Sequence, residues 1–92
     1  MRILLRGCTF DDSTKEWAVW MNKPNGLSIS DRPLYHSTGE YRLENATNRK
    51  GVPMLVVRGK LPPMTRDLNG FLIQMRADFT RYINQKKKEA GL

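Results

Sequence analysis

Apolar residues in this chain follow two different periods. As far as residue 60 they alternate with polar ones or gather in short blocks between turn formers, and from Leu68 onward they recur at helical spacing. The segment RILLRGCTF (2–10) is rich in strand formers and carries no helix cap, and DDSTK (11–15) is turn material. EWAVWMN (16–22) predicts a second strand that is apolar on both faces, with Trp17, Val19 and Met21 on one and Ala18 and Trp20 on the other. Such a strand belongs inside a sheet, and the short connection before it predicts a hairpin with the first. Pro24 and then Asn25-Gly26 mark a tight turn, because Asn-Gly supplies positive φ. LSIS (27–30) alternates and predicts a short third strand. RPLYH (32–36) and EYRLE (40–44) flank a turn at Ser37-Thr38-Gly39, and NATNRKG (45–51) reads as a polar loop. VPMLVVRGK (52–60) predicts the last strand, with Pro53 near its start or on an edge.

The helix comes last. Leu68, Phe71, Leu72, Met75, Phe79, Tyr82 and Ile83 form one stripe at three- and four-residue steps. Thr65 is the expected N-cap, Asp67 sits near the positive end of the dipole, and Gly91 is the expected stop. The pattern as a whole predicts an α+β fold in one compact domain spanning 1–92. A small antiparallel sheet of about four to five short strands lies within residues 2–60, and one long C-terminal helix over about 65–89 packs against it. Gly70, Ile73 and Ala77 lie nearly opposite the apolar stripe. A glycine inside a helix costs about 1 kcal/mol against alanine, so Gly70 predicts close approach by a partner, a second copy of the chain or a folded-back loop. An ordinary tolerated glycine beside an exposed isoleucine is the plainer alternative.

Composition bounds the function classes. A chain of 92 residues with 39% hydrophobic and 27% charged residues is a globular domain with one modest core. No apolar run reaches the roughly 20 residues that cross a bilayer, so no membrane partner is expected, and MRILLRGC is too short in its apolar part for a secretory leader. The single Cys8 forms no internal disulfide. It reads as a buried thiol in a reducing, cytoplasmic setting.

Charge is more informative. Residues 1–48 balance six Lys/Arg against six Asp/Glu, whereas residues 49–92 set ten Lys/Arg against three Asp/Glu, so the whole net charge of +7 belongs to the second half. That asymmetry predicts a polyanionic partner.

No motif supplies chemistry. One His and one Cys cannot build the usual zinc sets, no glycine-rich phosphate loop is present, and neither a cofactor nor a metal is expected. Asp11/Asp12 read as turn chemistry, and Glu40/Glu44 as the wet side of a strand. His36 is the one candidate for acid–base work. A small ribonuclease would combine His36 or Glu40 as base with Arg42 or Arg58 on the phosphate, against the plainer reading of a half-exposed loop histidine.

The leading expectation is therefore a non-enzymatic binding module that presents Arg49, Lys50, Arg58, Lys60, Arg76, Arg81, Lys86, Lys87 and Lys88 to DNA or RNA. The alternative is a small inhibitor or adaptor that docks on a larger nucleic-acid enzyme of a host, in the style of compact basic proteins from phages and mobile elements. Its contacts would come from Gly70, Ile73, Ala77 and Trp20, the first three also allowing a homo-oligomer. The sheet tryptophans carry a related expectation. Trp17 and Trp20 point to opposite faces, so one of them lies away from the helix, where a loop such as 45–51 is expected to bury it.

Overall fold

The computed structural model describes residues 5–92. Five strands, β1 (Cys8–Asp11), β2 (Glu16–Asn22), β3 (Arg32–His36), β4 (Gly39–Thr47) and β5 (Pro53–Lys60), form one sheet, followed by helix α1 (Leu68–Glu89). All neighbours are antiparallel, in the order β1-β2-β5-β4-β3. This is the expected α+β architecture.

The turns follow from their residues. Asp11 accepts from the Ser13 amide at 2.9 Å and the Ser13 hydroxyl at 2.7 Å, an Asx turn that reverses the chain between β1 and β2. Asn48 does the same between β4 and β5, accepting from the amides of Lys50 at 2.8 Å and Val52 at 2.9 Å. Of the first strand predicted over 2–10, residues 2–4 lie outside the described residues and β1 starts only at Cys8. Gly7 turns the chain there at φ 79.

Three other expectations are corrected. Residues 27–30 form no strand: Leu27 and Ile29 are buried in the core, but their backbone joins no ladder. Because β5 separates β2 from β4, residues 23–31 must cross the end of the sheet to reach β3, so the apolar alternation of LSIS reflects a loop pressed on the core. β4 runs on to Thr47, so Asn45 belongs to a strand and not to a polar loop. Asp67, not Thr65, caps α1, its carboxylate accepting from the Gly70 amide at 2.9 Å, while the Thr65 hydroxyl donates to the Pro62 carbonyl.

The core lies between one sheet face and α1. Trp17, Val19, Tyr41, Leu43, Leu55 and Val57 face Leu72, Met75, Phe79 and Ile83. β2 is central and apolar on both faces, as expected, with Trp17 on the helix side. Cys8 is buried. The opposite sheet face carries Trp20, which is half-buried and not sealed by a loop. The Arg58 guanidinium lies over its ring, 5.7 Å from the centroid.

Two glycines have structural reasons. At Gly59 in β5 a Cβ would lie 2.4 Å from Tyr41 Cδ1 and 3.2 Å from Trp17 Cζ2. The missing side chain lets those two rings meet edge to face at 4.9 Å. Gly59→Ala is expected to cost about 1–3 kcal/mol by prising the rings apart, read as a lowered midpoint in chemical denaturation.

At Gly70 the close approach is internal: a Cβ would lie 2.4 Å from Asp67 Oδ2. The glycine makes room for the cap and not for a partner. Gly70→Ala therefore sets a helix-propensity gain of about 1 kcal/mol against loss of a cap worth about 1 kcal/mol, and is expected to be nearly neutral. In an Asp67→Ala background the same substitution is expected to stabilise by about 1 kcal/mol. A double-mutant cycle in urea measures the difference.

Candidate nucleic-acid interface

The nine cations expected to share one surface fall into three groups. Arg49 and Lys50 occupy the β4–β5 turn, and Lys86, Lys87 and Lys88 the last turn of α1. These five lie at the same end of the molecule. Residues 22–27 line a shallow cavity with Val52 and Pro53 beside the turn. A Cβ on Gly26 would lie 3.4 Å from the Leu92 side chain. Lys86 lines a second hollow with Leu27, Ser28, Ile29 and Arg32. The turn, the 23–31 crossover and the helix end therefore converge.

The other four cations lie elsewhere. Arg58 and Lys60 belong to the far half of β5 on the face away from α1, with Arg42 directly across from Arg58. Arg58 Nε pairs with Glu44 at 3.1 Å, and Glu16 lies across from Lys60. Acidic and basic groups balance on that face. Arg76 is half-buried; it donates to the Arg6 carbonyl and lies 3.5 Å from Cys8 Sγ, tying α1 to the turn before β1. Arg81 pairs with Asp78. Of the four residues expected to touch a partner, Gly70 is filled by its own cap, Trp20 is stacked under Arg58, Ala77 is exposed and Ile73 is 56% exposed on the outer side of α1.

Local structure fixes the basic end. Asn45 is its hub. The Asn45 Nδ2 group donates to the Ile29 carbonyl at 2.6 Å and to Asp31 at 2.9 Å, and the Asn45 amide donates to Asp31 at 2.8 Å. The Asn45 Oδ1 accepts from Lys23 at 2.8 Å. The bonds from the Asn45 amide and side chain hold the Asp31 carboxyl below its ordinary 3.8. The helix end is also pinned. The Leu92 amide bonds to the Lys87 carbonyl at 2.9 Å and the Gly91 amide to the Lys88 carbonyl at 3.1 Å, with Gly91 at φ 76. This is the two-bond C-cap that glycine favours. Lys23, Arg49, Lys50, Lys86, Lys87 and Lys88 meet only Asp31 and Glu89 there among the described residues. Lys23 and Arg32 escaped a count by halves because they sit in the neutral half of the sequence.

His36 is not a free loop residue. It ends β3 on the helix side, where Nε2 donates to Asp78 Oδ2 at 2.8 Å. The Thr38 amide donates to Nδ1 at 3.2 Å, which fixes that tautomer. Glu40, Arg42 and Arg58 lie on the other face by strand register, so the sheet separates them from His36. Among the described residues no three His, Cys, Asp or Glu side chains are grouped to hold a metal ion, and no helix is long and apolar enough to cross a membrane. No protein-family model, curated protein or solved structure matches the chain.

Burial raises the pKa of Asp78, but hydrogen bonds from His36, Arg81 and Gln74 outweigh it and hold the carboxyl below its ordinary 3.8. A carboxylate with a depressed folded pKa stabilises the fold above its unfolded value and loses that contribution as pH falls through the folded one. Asp78→Asn is therefore expected to lower stability by about 1 kcal/mol at pH 7. The gap between variant and parent is expected to shrink as pH drops below 3.8. Thermal melts of both proteins across that range measure it.

Proposed function

We propose that this chain is a binding module, without catalysis of its own, that docks on a nucleic-acid backbone. Its contact surface is the end formed by the β4–β5 turn, the 23–31 crossover and the last turn of α1. This narrows the nine candidate cations of residues 49–92 to five, Arg49, Lys50, Lys86, Lys87 and Lys88, and adds Lys23. The observation that carries the reading is the concentration of six cations at an end holding two carboxylates, while the opposite sheet face is balanced.

Such a surface neutralises phosphates without reading bases. Lysines on a helix end and arginine in a pinned turn contact backbone charge, which fixes position on the strand and carries no sequence information. The helix dipole does not cancel the site. Its C-terminal end carries about half a negative charge, against three lysines in the last turn.

Binding to a mixed-sequence oligonucleotide is expected to fall linearly in log affinity with log salt. Lys87→Gln/Lys88→Gln and Arg49→Gln/Lys50→Gln should each flatten that slope by about 0.9 per lost phosphate contact. Lys60→Gln, at the other end, should leave it unchanged. Equal effects of the two ends, or a salt-independent affinity, would remove the reading. Fluorescence anisotropy at several salt concentrations supplies the slopes, on both DNA and RNA.

A further inference from the structure

A groove of about 460 Å³ runs between α1 and β3. Small-molecule sites are typically about 300–1,000 Å³. The groove has a geometric origin. Five strands about 4.8 Å apart place the outer two about 19 Å from each other, whereas a helix with its side chains is about 10–12 Å across. α1 lies closest to β2, which leaves the helix-facing side of β3 only partly covered.

The walls are apolar, with Leu34, Tyr41, Val57, Met75 and Phe79 along them. The two ends are polar and opposite in kind. One is closed by the His36–Asp78 bond. At the other, Arg32 from β3 and Lys86 from α1 converge on the Tyr82 ring, each 5.5 Å from its centroid. Spacing along the two elements agrees. Asp78 to Lys86 on the helix and His36 to Arg32 on the strand both span about 12–13 Å.

Arg32 is unsatisfied as it stands. Its Nε is buried without a hydrogen-bond partner, and no carboxylate among the described residues pairs with it. On the floor of the groove the Trp17 indole N–H is likewise buried without a partner. An inward charge on an edge strand also discourages strand pairing between molecules. That accounts for a charge at position 32, and the helix dipole and Glu89 at 3.5 Å suit a lysine at position 86, but neither accounts for the two cations converging on one ring at the mouth of an apolar groove.

We propose that this groove binds a small amphiphilic monoanion, a medium-chain or aromatic carboxylate. The apolar body lies along Leu34 and Phe79, and the carboxylate sits between Arg32 and Lys86. The guanidinium fork suits a planar carboxylate, and Lys86 adds a point charge. The site shares Lys86 with the nucleic-acid surface but does not rest on that reading, because its head group is set first by Arg32, which lies outside that surface, and needs none of Lys87, Lys88, Arg49 or Lys50.

The test is titration of the full chain with octanoate, followed by backbone amide NMR, with octanol and octylammonium as matched probes. Octanoate is expected to shift the amides of Leu34 and Tyr82. Octanol should bind at least tenfold more weakly, and octylammonium not at all. Arg32→Gln should weaken octanoate tenfold or more and leave octanol unchanged; Leu34→Asn should weaken both. The spectra of the free variants establish that they fold, and Lys86→Gln, near the exposed helix end, repeats the charge test if Arg32→Gln does not. Octanol binding as tightly as octanoate, octanoate affinity unmoved by loss of either cation, or shifts confined to other regions would overturn the proposal.

Discussion

β5 hydrogen-bonds to β2 on one side and β4 on the other, and the rest of the molecule follows from that double pairing. Once β5 lies between them, β2 and β3 sit three strand spacings apart, about 14 Å. The nine residues 23–31 must span the end of the sheet to join them. A loop crossing a core exposes its backbone polar groups to an apolar surface, which is costly unless they are bonded. Asn45 meets that need at the Ile29 carbonyl, to which its side chain donates, and anchors the crossover again through the Asp31 carboxylate. Leu27 and Ile29 then fill the space beneath the helix end. The crossover also places Lys23, and Arg32 at the start of β3 directly after it, at the two places where positive charge gathers.

Much of this was legible in the residues because it is local. The helix stripe, the two-sided apolar pattern of β2, the turn at Ser37-Thr38 and the stop at Gly91 each depend on neighbours a few positions away. What was not legible depends on pairing partners far along the chain. LSIS alternates like a strand, yet alternation says only that one side faces something apolar, and that something was the core side of a loop. Asn45 looked like loop material until its partners at 29 and 31 came beside it. Gly70 demanded a close neighbour, and helical geometry alone could not say that the neighbour was Asp67, three residues back. Thr65 and Asp67 are both good caps by type; position decided between them.

Charge needed the third dimension most. A count by halves assigned the excess to residues 49–92, which is true of the sequence and misleading about the surface. Strand β5 sends Arg58 and Lys60 to a face that carries Glu16, Glu40 and Glu44, and their charge is largely met there. Arg76 is spent on the Arg6 carbonyl. What remains is concentrated by three chain segments that have nothing in common in sequence. Like charges gathered in this way repel one another, and among the described residues the helix dipole, Asp31 and Glu89 relieve them locally.

The groove is the other consequence of one helix set against five strands. A single stripe of about four buried side chains cannot reach both edges, so the fold closes the β1 side with Arg76 and the β3 side with His36–Asp78. These two closures differ physically. Arg76 is half-buried on backbone oxygen and on Cys8, which fills its side. Asp78 reaches across to His36 only at one point and is braced there by Arg81 and Gln74, so it props the edge strand at a fixed distance from the helix without filling the space beyond. α1 and β3 run antiparallel with matched rise between their polar contacts, so the two polar ends of the gap fall at the same places on both elements. An edge strand propped in this way, with an unpaired arginine at its far end, leaves an apolar channel whose polarity is fixed by the fold before anything enters it.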